Sequence, residues 1–315
     1  MKSIAETQAA ICIAGAHRSG TSMVTRLLHC CGLEVGRKSE LMPPQADNPD
    51  GFWEHLGFVA LNDQLLSELG GAWDLPPKAN EDFLTARLDP LRLKARLLIE
   101  KFDSASVWGW KDPRNSLTLP FWQQLLPRLK TIVVVRNPLE VAHSMKERNG
   151  TSYSFGLRLW EIYNRRVIEE TNGKERLISH YDSFFQDPEL ELLRITDFIG
   201  LPNAKTSIAA ALVAPRRRHT HFTVEQLIDA RVSEEIIAPR IRISLYGDES
   251  ARCSDSNRLD LPSASSACMP RSTTPSTFNA ISSRDQRCGS FEPKRRANGA
   301  MQWRQCDRAS CFGLF

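Results

Sequence analysis

The chain has no apolar run near the ~18 residues that a membrane-spanning helix needs. Its first residues also lack the apolar centre of a secretory signal, because Glu6, Thr7 and Gln8 interrupt it. These absences predict a protein without a membrane span, placed in the cytoplasm. The short paired cysteine spacings of zinc sites are missing as well. Cys253, Cys268, Cys288, Cys306 and Cys311 are spread widely, and Cys12, Cys30 and Cys31 read as small core residues, not as a disulfide set. Basic residues are not clustered with aromatics, so no nucleic-acid partner is expected.

What is present is ordinary for a folded protein over most of its length. Of the 315 residues, 41% are hydrophobic and 25% charged, enough for one sizeable core or two small ones. The net charge of +4 is unevenly placed: residues 251–315 hold ten Lys or Arg against five Asp or Glu, while the first 250 hold 31 against 32. That C-terminal stretch is rich in Ser, Pro, Arg and Cys and keeps no apolar period, so it buries too little apolar surface to fold alone. The organisation expected is a folded domain over 1–247 and a basic tail over 248–315, disordered or out of frame.

In the body, strand signals near 10–14, 107–110, 131–136 and 176–179 alternate with helix signals near 20–31, 55–69, 138–148, 155–171 and 188–199. Strands separated by helices predict an α/β fold of three layers, a central parallel sheet flanked by helices. Residues 42–51 read as a Pro-rich acidic loop. Residues 81–102 carry a helical apolar spacing interrupted by Pro90, Pro202 closes the last helix, and Arg216-Arg217-Arg218 opens a looser region.

Between the first strand and the first helix lies Gly15-Ala16-His17-Arg18-Ser19-Gly20-Thr21-Ser22. It reads as a phosphate-cradling turn whose helix N-terminus points amides and partial positive charge at an anion. Thr21 stands where a P-loop of the nucleoside-triphosphate kind carries Lys, and the cation sits earlier, at Arg18. No apolar strand ends in an acidic residue with a magnesium role, so no metal is expected. Arg136 ends the strand Ile132–Val135 and is followed by Asn137 and Pro138, a helix-start pair, which places it where a parallel strand opens into a ligand crevice.

These segments resemble those of PAPS-dependent sulfotransferases, PAPS being 3′-phosphoadenosine 5′-phosphosulfate, of the bacterial type with a P-loop-like fold. Arg18-Ser19-Gly20-Thr21-Ser22 is similar to the family's 5′-phosphosulfate loop, and Arg136 with Ser144, seven residues between them, to its 3′-phosphate pair. Asn48-Pro49-Asp50-Gly51-Phe52-Trp53-Glu54 and Lys111-Asp112-Pro113-Arg114 are similar to two further signatures. The resemblance spans about residues 10–225. It implies Gly15, Arg18, Ser19, Gly20, Thr21, Ser22, Arg136 and Ser144 as donor-binding residues, and transfer of the sulfuryl group to a hydroxyl of a small molecule or saccharide.

Such transfer needs charge stabilisation, for which Arg18 and Lys111 are candidates, and a base for the acceptor hydroxyl. Glu54 is the candidate base, with Phe52 and Trp53 as desolvating neighbours; its other reading is an exposed acid opening a helix. His17, His55 and His143 are rival bases. Lys111–Arg114 also reads as a salt-bridged turn, and Ser144 as a solvent-facing helical serine. Trp53, Trp73, Trp108, Trp110 and Trp122 offer either a sugar platform or core. Two other classes remain open: a magnesium-dependent P-loop kinase or NTPase, and a non-catalytic anion-binding protein.

Overall fold

The computed structural model describes residues 9–201 and 204–213, which belong to one unit. The 247/248 boundary, the 248–315 tail, Arg216–Arg218, Pro202 and the first residues of the chain lie outside the described residues.

The first strand, β1 (Ala10–Ala14), is buried along its whole length. Ile11 and Ile13 face one side with Val24, Leu27 and Leu28, while Ala10, Cys12 and Ala14 face the other with Phe58, Trp108 and Trp110. A strand with apolar residues at every position belongs at the centre of a parallel sheet covered on both faces. It pairs in parallel with β2 (Trp108–Lys111) on one side and β3 (Lys130–Val135) on the other, and β3 pairs with β4 (Arg176–His180). The sheet order is β2-β1-β3-β4, so the chain reverses its direction of travel across the sheet beside β1. The crevice outside the C-terminal ends of β1 and β3 is where such sheets bind ligands.

Helices cover both faces: α1 (Thr21–Cys30), α2 (Leu56–Glu68), α3 (Asp89–Ile99), α4 (Asn115–Leu125), α5 (Pro138–Asn149), α6 (Tyr153–Glu170), α7 (Ser183–Gln186), α8 (Pro188–Ile199) and α9 (Thr206–Ala210). The expected strands and most expected helices stand within about two residues of their sequence signals. The stretch 81–102 differs: instead of a helix broken at Pro90, α3 begins at Asp89 with Pro90 in its first turn, flanked by short 3₁₀ turns at Ala86–Leu88 and Glu100–Phe102. A first-turn position needs no intrahelical N–H, so proline starts the helix there.

The aromatic side of the sheet fixes three of the candidate sugar-platform residues. Phe58 stacks on Trp110 at 4.6 Å, Phe102 on Trp108 at 4.6 Å, and Trp122 closes the cluster at 5.1 Å from Trp110. All three tryptophans are buried. Two of the indoles donate inward, Trp110 to Asn115 Oδ1 and Trp122 to Asn62 Oδ1. Asn62, itself buried, also donates to Asp112 Oδ2 at 2.9 Å, which ties α2 to the turn after β2. None of the helices among the described residues is long and apolar enough to cross a membrane.

Candidate active site

The loop after β1 is shaped by two glycines. Gly15 lies at φ 147° and a Cβ there would sit 2.4 Å from the Val134 carbonyl oxygen, so only glycine lets the loop pass β3. Gly20 precedes α1 at φ 91°, and its Cβ would fall 2.3 Å from the Tyr181 ring. Arg18 adopts φ 69°, a conformation that costs a residue with a side chain. No side chain caps α1 and no acid occupies its first turn. Its first residues line the cleft, so among the described residues its leading amides meet the cleft with neither a capping side chain nor a first-turn acid, the arrangement that favours a bound phosphate or sulfate.

One cleft is lined by His17, Arg18, Gly20, Thr21 and Ser22 from this loop, Glu54, Lys111, and Arg136 with Ser144. Gly15 and Ser19 do not line it; Gly15 donates to Ser116 Oγ at 3.0 Å behind the loop, and Ser19 is buried. The site is strongly cationic. Arg136, at the end of β3, donates through Nε to the buried Glu140 at 2.9 Å and through its terminal nitrogen to the Arg18 carbonyl at 3.2 Å, while its guanidinium lies 4.2 Å from the centre of the Tyr181 ring. Arg18 Nε donates to Ser144 Oγ at 2.9 Å, which puts the hydroxyl of this helical serine in the cleft and not in solvent.

Lys111 joins the two halves of the cleft. Standing at the end of β2 and 1% exposed, it reaches Glu54 Oε1 at 2.6 Å and Ser22 Oγ at 3.2 Å. Glu54 is buried, so it is not the exposed helix-opening acid of its alternative reading. Its neighbour is an ammonium as well as aromatics. Trp53, just before it, takes φ 59°, a second non-glycine residue in the left-handed region. The segment Lys111–Arg114 forms the salt-bridged turn of one of its readings, with Asp112 accepting from the backbone and side chain of Arg114, which also pairs with Asp63 at 2.7 Å, and it places Lys111 in the lining of the cleft.

The histidines separate. His55 caps α2, accepting from the Gly57 amide, and packs on Phe58 and Phe102; His143 bonds the Tyr153 hydroxyl at 2.8 Å; neither lines the cleft. His17 does line it, but burial and then Arg114, Lys111, Arg148 and Arg18 push its pKa well below the usual imidazole value. It stays neutral and holds a proton poorly. No tryptophan among the described residues lines the cleft.

Met23, Arg26, Arg148, Tyr181 and Phe185 also line the cleft and were not singled out from sequence. Arg148 lies four residues after Ser144 on α5, on the same helical face, a spacing that could have flagged it. Tyr181 follows β4, another strand end opening on the crevice. Arg26 stands on α1, and only the fold brings it beside Asp50 at 2.7 Å.

Comparison with known proteins gives a coherent picture. The pattern described as "Sulfotransferase family" matches residues 10–205. A Caenorhabditis elegans protein named "Putative protein-tyrosine sulfotransferase" is 34% identical over 101 residues, covering 29% of this chain and 39% of that protein. A Caenorhabditis briggsae protein of the same name is 32% identical over 100 residues, 29% of this chain and 36% of that one. The matched segment thus spans under two fifths of the length of these relatives. Among solved structures, a Mycobacterium tuberculosis sulfotransferase superposes with TM-score 0.50 at 16% identity, covering 74% of this chain and 76% of its own. A Mycobacterium avium sulfotransferase does so with TM-score 0.50 at 14% identity, covering 76% of each. At such identities these structures speak for the fold.

Proposed function

The chain belongs to the sulfotransferase family, and from that premise we propose that it moves the sulfuryl group of PAPS to an acceptor hydroxyl by in-line displacement without a metal ion. One observation carries this reading: the Lys111 ammonium bridges the candidate base Glu54 (2.6 Å) and the phosphate loop at Ser22 (3.2 Å). Base and leaving-group site therefore meet at one cation. The uncapped start of α1 and the guanidinium of Arg18 suit the 5′-phosphosulfate end, and Arg136, Ser144 and Arg148 suit the 3′-phosphate end.

Within this proposal Glu54 takes the proton of the acceptor hydroxyl as its oxygen attacks sulfur, and the bond from sulfur to the phosphate oxygen breaks. Lys111 and Arg18 meet the charge growing on that departing oxygen, the task a metal performs in phosphoryl transfer. Of the groups weighed as base, His55 and His143 do not line the cleft, and burial with the nearby cations makes His17 a poor proton acceptor, which leaves Glu54. For the acceptor, the family resemblance favours a saccharide or small molecule. The names of the two nematode relatives favour a second reading, the phenolic hydroxyl of a protein tyrosine.

Calorimetric titration with adenosine 3′,5′-bisphosphate and with Mg²⁺-ATP tests the donor, and turnover of PAPS on saccharide, phenol and tyrosyl-peptide acceptors tests the rest. Tight binding of ATP alone would overturn the proposal. Glu54→Gln should lower kcat by ~10²–10⁴ with little change in bisphosphate affinity. Removing Arg136 should weaken the bisphosphate ~10–100-fold. Because Glu140 is buried beside it, the variant to use is Arg136→Gln with Glu140→Gln.

A further inference from the structure

The segment from Leu41 to His55 forms a strap along the cleft. Its base is pinned: Leu41 and His55 pair as an antiparallel bridge, and the Met42 amide donates to the Glu54 carbonyl at 2.7 Å. Its tip is tied internally, Asn48 Nδ2 donating to the Gly51 carbonyl at 2.6 Å. Beyond these backbone ties, the tip reaches the cleft through carboxylates. Asp47 Oδ2 lies 2.9 Å from Arg148 Nε and 3.5 Å from a terminal nitrogen of Arg18, whose Nε bonds Ser144. Asp50 Oδ1 lies 2.7 Å from Arg26.

One carboxylate oxygen thus stands between two guanidinium groups that both line the cleft, and one of these also holds the Ser144 hydroxyl. That is an anion-binding position occupied by the protein's own anion. Resting on the donor reading above, we propose that Asp47 is an intramolecular competitor for the donor's 3′-phosphate: a nucleotide that carries a 3′-phosphate must displace it to bind, and one without leaves it in place.

Charge decides the exchange. A phosphate brings nearly two negative charges and three acceptor oxygens to Arg148 and Ser144, where the carboxylate brings one charge and two oxygens. The carboxylate is easily displaced, because the Asp47 and Arg148 side chains each remain 31% exposed and ion pairs of that kind are weak. A nucleotide ending in a bare 3′-hydroxyl offers no replacement and leaves Asp47 in place. The pinned base of the strap lets the tip yield while the Glu54 backbone stays hydrogen-bonded to Met42.

The test is calorimetric titration of the wild type and Asp47→Asn, at one ionic strength, with adenosine 3′,5′-bisphosphate and with adenosine 5′-phosphate. The amide keeps the shape and removes the competing charge. The variant should bind the bisphosphate ~3–10-fold more tightly and the 5′-phosphate within ~2-fold of wild type. Unchanged or weaker bisphosphate binding overturns the proposal, as does an equal gain for both nucleotides. Should the wild type bind neither nucleotide, the donor reading fails separately, and inorganic phosphate becomes the probe for Asp47. Tighter phosphate binding by Asp47→Asn then upholds the competitor, and equal binding or none overturns it.

Discussion

Replacing Lys111 by methionine tests whether the ammonium at the end of β2 is a partner that Glu54 cannot do without. Methionine matches the lysine stem as far as Cε, so packing around the stem is kept while the ammonium goes. Lys111 is 1% exposed and Glu54 8%, and their contact is 2.6 Å. Breaking a buried pair from one side costs ~3–5 kcal/mol because the remaining charge is left without compensation. The mouth of the cleft gives Glu54 some access to water, so the lower end, ~3 kcal/mol, is expected. In a domain of this size that lowers Tm by ~6–12 °C. Glu54→Gln keeps an acceptor for Lys111 and should cost less.

The double variant Lys111→Met/Glu54→Gln leaves no buried charge at the pair. Its destabilisation should fall short of the sum of the two single losses by ~2 kcal/mol or more. Urea unfolding followed by tryptophan fluorescence measures all three. If the double variant's loss equals that sum to within ~0.5 kcal/mol, the pair is uncoupled and Lys111 is not what holds Glu54. Sulfuryl transfer should be absent from the double variant even though its loss of stability is less than additive, which separates holding the fold from doing the chemistry.

Gly20→Ala should both destabilise and weaken anion binding. Its φ of 91° costs an alanine ~1–2 kcal/mol, and the new methyl would drive the Tyr181 ring away from Arg136. Gly32→Ala is the control, having φ 111° with nothing within 4 Å of its Cβ; it should show the strain alone, and equal effects of the two on bisphosphate affinity would refute the Tyr181 argument. His55→Asn keeps a side chain able to cap α2 but removes a titrating group whose pKa burial pushes below its ordinary value. The unfolded chain takes up this proton as pH falls through about 6.5 and the folded chain does not. His55 therefore contributes stability that is present above that pH and lost below it, by up to ~1.4 kcal/mol per pH unit. Melting curves between pH 7.5 and 5.5 should show a shallower loss in the variant, and parallel curves would contradict it.

Local order carried much of the reading from sequence. The run Ile11-Cys12-Ile13-Ala14 before Gly15, and Ile132–Val135 before Arg136, each place a strand and its exit within a few residues, and the exit of a parallel strand is where ligands bind. The same local logic misread 81–102, where a helical spacing continued past Pro90 in sequence but the helix begins beside it. It also left the tryptophans undecided, because an indole suits a core as well as a platform; stacking on Phe58 and Phe102 assigned Trp108, Trp110 and Trp122 to the core.

The linear chain determined the parallel α/β architecture, the glycine-shaped loop and the cations at the strand ends, since each depends on residues within one turn or one strand of one another. Which charges meet was decided by folding alone. Lys111 and Glu54 are 57 positions apart, and Arg148 and Asp47 come from a helix and a strap with no local relation. Ion pairs of that kind are set by how β2, α5 and the strap converge on one crevice, and no short-range pattern encodes that convergence.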